Sequence, residues 1–291
     1  MDLCNANQIK ALLARHGFRF SKRMGQNFLI ADWVPREIAT VSGVERDSGV
    51  LEIGPGIGPL TAALADRAGR VAAVELDRAL LPVLAETLAG RDNVTVIPGD
   101  VLKLDLPALV RAQFSGLTPM ACANLPYNIT TPAITALLEA GCFASITVMI
   151  QREVALRICA APGTADYGAF SVFCQYHADP VPCFDVPPDC FLPAPKVTSS
   201  VLRLIPHGPP EEVHHPDLFF QVVRAAFAQR RKTLLNALSA AFHSGLSKED
   251  LRAVLQSCGL PEDIRGERLD IPAFAALADG LYAAQEKTAQ L

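Results

Sequence analysis

The sequence predicts an α/β fold, a mostly parallel sheet covered by helices on both faces, followed by a small all-helical domain. Three observations predict it. Short apolar strands alternate with amphipathic helical stretches from about residue 50 to residue 151. Three glycines, Gly54, Gly56 and Gly58, separate the first of those strands from the helix behind it. From Asp217 onward the apolar residues recur only at helical spacing, as Leu218, Val222, Phe227, Leu234 and Leu238 do.

Taken in order, Ile9, Leu12 and Leu13 give residues 7–16 one apolar face, with Asn7 as the expected cap. A basic loop from Arg19 to Gly25 leads into Gln26-Asn27-Phe28-Leu29. Asp32 then caps a helix through Trp33, Ile38 and Val41, which Gly43 ends. Val50-Leu51-Glu52-Ile53 follows the turn Asp47-Ser48-Gly49 and reads as a buried strand. Lacking a Cβ, the glycines after it let the backbone turn sharply and lie directly against a ligand. Pro59 suits a first helical position, and the free N–H groups of that helix start add a partial positive field. Residues 71–77 form a strand closing on Glu75 and Asp77, and a helix runs through Leu80, Leu81, Leu84 and Leu88. Strand 94–97 runs into Gly99-Asp100, and strand 120–123 stops at Asn124-Leu125-Pro126-Tyr127. Residues 131–140 are helical and 145–151 form a further buried strand. Past Tyr167, Phe170 to Tyr176 suits strand or helix. Prolines at 180, 182, 187, 188, 193 and 195 then punctuate an extended segment before a strand over 200–205. The Pro-, Gly-, Glu- and His-rich stretch 206–216 reads as a linker, and helices are expected near 247–257 and 272–284. The expected domains are therefore 1–206 and 207–291.

In parallel sheets, ligands gather beyond the carboxyl ends of the strands where strand order reverses. Gly54, Glu75, Asp100 and Asn124 each stand at or just past such an end, so four separate stretches are expected to line one crevice. Glycines at 54, 56 and 58 give G-x-G-x-G, not the G-x-G-x-x-G of dinucleotide loops, and no Lys-Ser/Thr follows as a P-loop requires. The form E-x-G-x-G-x-G resembles motif I of class I S-adenosylmethionine (SAM) methyltransferases, whose sheet is Rossmann-like. A carboxylate at Glu75 suits both hydroxyls of an adenosine ribose, and Asp100 suits an adenine amino group. A solvated strand-end acid and an ordinary turn aspartate are the plain alternatives.

The stretch Asn124-Leu125-Pro126-Tyr127 is more specific. Methylating the exocyclic nitrogen of adenine is hard because its lone pair is delocalised into the ring. An Asn side-chain oxygen and a fixed backbone carbonyl, that of Leu125 with Pro126 stiffening the turn, can both accept from the N6 amino group and hold its lone pair toward a methyl donor. Tyr127 offers a ring on which an extruded base can stack.

Bulk properties exclude several classes. Half of the 291 residues are hydrophobic and 19% are charged, which suits a large core and excludes general disorder. No apolar run is long enough for a membrane helix, and the first residues lack a secretory leader pattern, so a cytoplasmic protein is expected. The eight cysteines (4, 122, 142, 159, 174, 183, 190 and 258) show no C-x-x-C pairing and read as reduced, mostly buried thiols with no metal site. A net charge of −4 argues against nucleic acid by itself. Its distribution does not: Lys10, Arg15, Arg19, Lys22 and Arg23 cluster early, and Arg230-Arg231-Lys232 cluster late, on one expected helix. Solvated helix faces are the bland reading of both clusters.

Together these motifs resemble the KsgA family of ribosomal RNA adenine N6,N6-dimethyltransferases. The resemblance rests on Gly25-Gln26-Asn27-Phe28-Leu29, E-I-G-P-G-I-G at 52–58, V-E-L-D at 74–77, Gly99-Asp100 and N-L-P-Y-N-I at 124–129. It continues through Gln151-Arg152-Glu153, Tyr167-Gly168, F-L-P-A-P-K-V at 191–197 and Q-R-R-K-T-L at 229–234. It implies SAM as cofactor, held by Gln26, Asn27, Leu29, Gly54, Gly56, Glu75, Leu76, Asp100, Val101 and Asn124. It implies capture of the target adenine by Asn124, Leu125, Pro126, Tyr127 and Phe191. RNA contact is expected at Arg19, Lys22, Arg23, Arg230, Arg231 and Lys232. The implied substrate is a pair of adjacent adenosines in the 3′-terminal hairpin loop of 16S rRNA, within the immature small ribosomal subunit, modified by a monomer. Three alternatives stay open: a macrolide-resistance-type 23S rRNA adenine N6-methyltransferase, a non-catalytic ribosome-assembly factor on the same fold, and a small-molecule methyltransferase. Leu125, where the macrolide-resistance enzymes usually carry Ile, favours the small-subunit reading.

Overall fold

The computed structural model describes residues 3, 5–18, 25–229, 231–243 and 245–289. In chain order the elements are α1 (Ala6–Arg15), β1 (Phe28–Leu29), α2 (Trp33–Val41), β2 (Ser48–Ile53), α3 (Pro59–Ala65), β3 (Arg70–Glu75), α4 (Leu81–Thr87), β4 (Val94–Pro98), α5 (Leu106–Gln113), β5 (Thr118–Asn124), α6 (Thr130–Glu139) and β6 (Ser145–Gln151). Then come α7 (Arg152–Ile158), α8 (Ala169–His177), β7 (Ala178–Val186), β8 (Phe191–Leu192), β9 (Ser199–Pro206), α9 (Pro216–Ala228), α10 (Leu234–Ala241), α11 (Lys248–Ser257) and α12 (Ile271–Ala289).

The chain divides into two compact units, Met1–Ala155 with Ala178–Pro206, and Leu156–His177 with His207–Leu291. Leu156–His177 therefore leaves the sheet domain to which the sequence assigned it. The reason is packing: Tyr167, Val172 and Tyr176 share a core with Phe219, Val222 and Phe274. The Tyr167 hydroxyl donates to the Leu269 carbonyl at 2.9 Å, which ties the segment to the helical unit. The uncertain stretch 170–176 is the helix α8.

Within the described residues of the sheet unit, seven strands form the main sheet in the order β4-β3-β2-β5-β6-β9-β7, and β1 pairs with β8 in a separate two-stranded sheet. β4, β3, β2, β5 and β6 run parallel, while β9 is antiparallel to both β6 and β7. Strand order reverses between β2 and β5, where a crevice beyond the carboxyl ends is expected. The proline-rich segment is the edge strand β7; Pro180 and Pro182 are tolerated there because an edge leaves N–H positions unused.

Two cores position the site. On one face, Val34 and Ile38 of α2 and Leu60 and Leu64 of α3 pack on Val50, Val71, Met120 and Met149. Val34, Ile38 and Leu64 are fully buried, each worth roughly 1.5–3 kcal/mol of transfer free energy. In a second core, Ile9, Leu12 and Leu13 of α1 pack with Phe28, Ile57, Leu80 and Leu84. Asn5, not the expected Asn7, caps α1, accepting from Asn7 N–H at 3.0 Å and Gln8 N–H at 3.1 Å. Asp32 precedes α2 without making a side-chain cap bond.

Candidate active site

Gly54, Gly56 and Gly58 have φ of 66°, 61° and 94°, a region that favours glycine. Gly58 leads into α3 with Pro59 in its first turn. Phe28, held by the α1 core, lies against this loop so closely that a Cβ on Gly56 would sit 3.2 Å from its ring. The glycines are thus favoured by backbone shape at all three positions, and space for a Cβ is tight at Gly56 and at Gly58, where it would sit 3.1 Å from the Leu88 side chain.

The loop opens onto a cavity of about 210 Å³. Its lining includes Gly54 and Gly56 after β2, Glu75 and Leu76 at the end of β3, Asp100 and Val101 after β4, and Asn124, Leu125, Pro126 and Tyr127 at the end of β5. Gln26, Asn27, Leu29 and Phe191 complete it, and β1 and β8 bring these together by pairing Leu29 with Phe191. Every residue expected at the cofactor and the target base therefore borders one cavity. Sequence reasoning missed Glu52, Phe28, Leu102 and Asn128, which border it too. Glu52 carried a signal, being the one acid within an apolar strand.

The acids are held differently. Glu75 is buried, and its carboxylate accepts from Asp77 N–H at 2.7 Å and Gly56 N–H at 3.3 Å. Burial raises its pKa, and those two backbone bonds oppose the rise. Asp77 in turn accepts from the Gln26 amide at 2.7 Å, which fixes the Gln26 side chain at the cavity. Asp100 accepts from Leu102 N–H at 3.1 Å, capping a 3₁₀ turn over Val101–Lys103. Glu52 is 1% exposed, and burial pushes its carboxyl up to about 8, eased by the Thr61 hydroxyl and reinforced by Glu75. At neutral pH the cavity wall therefore holds one protonated acid beside the Glu75 carboxyl.

At the end of β5, Leu125 N–H donates to the Met149 carbonyl at 3.1 Å and Ile129 N–H to the Pro126 carbonyl at 3.1 Å. These bonds fix the turn on both sides of the Leu125 carbonyl. The Asn124 amide makes no side-chain hydrogen bond among the described residues, so its oxygen remains an available acceptor at the cavity.

Of the expected RNA contacts, Arg19, Lys22, Arg23 and Arg230 lie outside the described residues. Arg231 and Lys232 are exposed, in a turn between α9 and α10 where one continuous helix was expected. Lys232 N–H donates to the Gln229 carbonyl at 2.9 Å there, ending the helical run. Among the described residues, no helix is long and apolar enough to cross a membrane, and no group of three His, Cys, Asp or Glu side chains is placed to hold a metal. Cys122, Cys174 and Cys190 are buried free thiols, while Cys142, Cys159, Cys183 and Cys258 are partly exposed ones.

Comparison with known proteins follows the same lines. The chain is 46% identical over 284 residues to the ribosomal RNA small subunit methyltransferase A of Geobacillus thermodenitrificans, covering 96% of this chain and 97% of that protein. It is 44% identical over 285 residues to the protein of the same name from Alkaliphilus metalliredigens, covering 97% and 99%. The crystal structure of a dimethyladenosine transferase from Plasmodium falciparum superposes with a TM-score of 0.74 at 23% identity, over 88% of this chain and 98% of that one. That of the 23S rRNA methyltransferase ErmE gives 0.66 at 26% identity, over 88% and 100%. The family model for ribosomal RNA adenine dimethylases matches residues 17–258, and the chain belongs to that family.

Proposed function

We propose that the chain dimethylates N6 of two adjacent adenosines in the 3′-terminal hairpin loop of 16S rRNA, acting as a monomer on the immature small ribosomal subunit. Family membership makes it a SAM-dependent rRNA adenine methyltransferase. The single observation that carries the residue-level reading is that Asn124 and Tyr127 open on the same cavity as the glycine loop, Glu75 and Asp100.

The residues present fit SAM. The glycine loop puts no side chain between its backbone and the cavity at Gly54 and Gly56, and Glu75 and Asp100 supply acceptors for ribose hydroxyls and an adenine amino group. Leu76 and Leu102 border the cavity while 54% and 40% exposed, offering apolar faces to a flat base. Gln26, Asn27, Leu29 and Val101 complete that wall. When bound, SAM supplies an electrophilic methyl group on a positively charged sulfur.

The chain's own residues then do the orienting. The Asn124 side-chain oxygen and the Leu125 carbonyl accept the two N6–H bonds of the target adenine, turning its lone pair out of conjugation and toward the methyl carbon. Transfer of that methyl group to N6 would leave the bonding electron pair on the cofactor's sulfur, as a neutral thioether. The N6 proton passes to solvent, since the methylated nitrogen is acidic and needs no side-chain base. Tyr127 and Phe191 give ring surfaces against which the extruded base stacks. Arg19, Lys22, Arg23, Arg230, Arg231 and Lys232 grip phosphates, which position the RNA without specifying it.

Methyl-labelled SAM, purified chain and immature small subunits test this, with mass mapping of the RNA afterwards. Dimethylated adenosines side by side in the 3′-terminal hairpin support the reading. Label confined to large-subunit RNA would assign the macrolide-resistance activity, and no label in RNA would leave only a binding role.

A further inference from the structure

Tyr127 begins a 3₁₀ turn, Tyr127–Ile129, so the backbone holds the ring at its Cα end only. The far end of the ring is held as well. Its phenol oxygen lies 2.8 Å from the Oγ of Ser199, across a separation of 72 residues. Ser199 is buried at 1% exposure and is the first residue of β9. Register places it opposite Gln151 of β6 and Val186 of β7. The strand start is braced from both sides. Arg152 N–H donates to the Thr198 carbonyl at 3.0 Å, and the Arg152 guanidinium meets Asp185 at 2.9 Å. Asp185 also accepts from the Ser200 hydroxyl. Burial raises the pKa of Tyr127, so the phenol keeps its proton at neutral pH.

We propose that Ser199 is a positioning residue for methyl transfer: through the Tyr127 hydroxyl it presets the ring as a stacking face for the target base. This rests on the reading of Tyr127 as the stacking residue. A ring pinned at both ends sits in one rotamer before the base arrives. A ring pinned only at Cα must be ordered during capture, and its half-buried phenol has lost a partner. Nothing in the motif Asn124-Leu125-Pro126-Tyr127 itself specifies Ser199, which stands beyond Phe191 in another strand.

Steady-state methylation of immature small subunits by four variants tests the inference. Ser199→Ala should lower kcat/KM for RNA by about 3- to 10-fold, mostly through KM, with SAM affinity within twofold of wild type. Tyr127→Phe, which removes the same bond from the exposed side, should do the same. The double variant should be no worse than either alone, because both delete one contact. Ser199→Thr restores the hydroxyl and should recover activity. Unchanged kcat/KM in Ser199→Ala, or losses that multiply in the double variant, would overturn the inference. Equal loss of SAM binding would also overturn it, by making Ser199 a brace for the whole turn. If Ser199→Ala fails to fold, Tyr127→Phe with wild-type kcat/KM overturns it alone. A wild-type chain that methylates no adenosine removes the functional reading itself, an outcome distinct from an active chain indifferent to Ser199.

Discussion

Replacing Glu52 by Gln should stabilise the sheet unit at neutral pH while changing little near pH 4. Glu52 is wholly buried in β2, and burial pushes its carboxyl from an ordinary 4.5 up to about 8. Its Oε2 makes no hydrogen bond within the described residues, so the burial is poorly compensated. Between those two pKa values the folded chain keeps a proton that the unfolded chain releases. The stability tied to that proton is fully present below 4.5 and is lost as pH rises toward 8. Each pH unit in that window costs about 1.4 kcal/mol, so the loss from pH 4 to pH 7 is about 3 kcal/mol. Gln keeps the shape and does not titrate. The stability difference between variant and wild type should therefore widen by about 3 kcal/mol over that range. Trp33 is the single tryptophan and belongs to the sheet unit, so urea unfolding followed by its fluorescence reports that unit directly. Difference infrared spectra should also show a protonated-carboxyl band at pH 6 that vanishes in Glu52→Gln. Parallel pH profiles for the two proteins would refute the reasoning, because they would mean that Glu52 is ionised in the fold.

Three further outcomes are expected. Glu75→Ala removes a buried acceptor from the cavity and should weaken SAM binding by roughly 10- to 100-fold in calorimetry, the value of a charge-assisted bond; unchanged affinity would dismiss the ribose assignment. Replacing Arg230, Arg231 and Lys232 together by Ala should lower the slope of log K against log salt by about 2 to 3 for RNA while sparing SAM binding; an unaltered slope would make them solvated surface. Tyr127→Ala should cost roughly 1–3 kcal/mol in base capture, read as a rise in KM for RNA, and a wild-type KM would remove the stacking role.

The sheet and its crevice were legible because their signals are local. A strand ending in glycines, Glu75, Asp100 or Asn124 declares its own carboxyl end, and parallel topology does the rest. The helix α5 carries a signal of the same local kind: Asp105 caps it by accepting from Ala108 N–H at 2.9 Å, with Pro107 in its first turn. Other features are written across distance. Ser199 reaches Tyr127 only because β9 folds back antiparallel to β6. Glu52 looked like an ordinary acid of a motif, and its protonation follows from how completely α3 and the neighbouring strands cover it. The assignment of Leu156–His177 turned on which core Tyr176 joins, and an apolar helix such as α8 fits either.

The central claim is that the Asn124 turn performs the chemistry and is not merely a bend between β5 and α6. Single-turnover methyl transfer to immature small subunits, at saturating SAM and with mono- and dimethyladenosine resolved, tests it most directly. Asn124→Ala should transfer methyl groups roughly 100-fold more slowly or worse while binding RNA nearly as well as wild type, because the lost contact strengthens only at the transition state. Full dimethylation by Asn124→Ala at the wild-type rate would contradict the account.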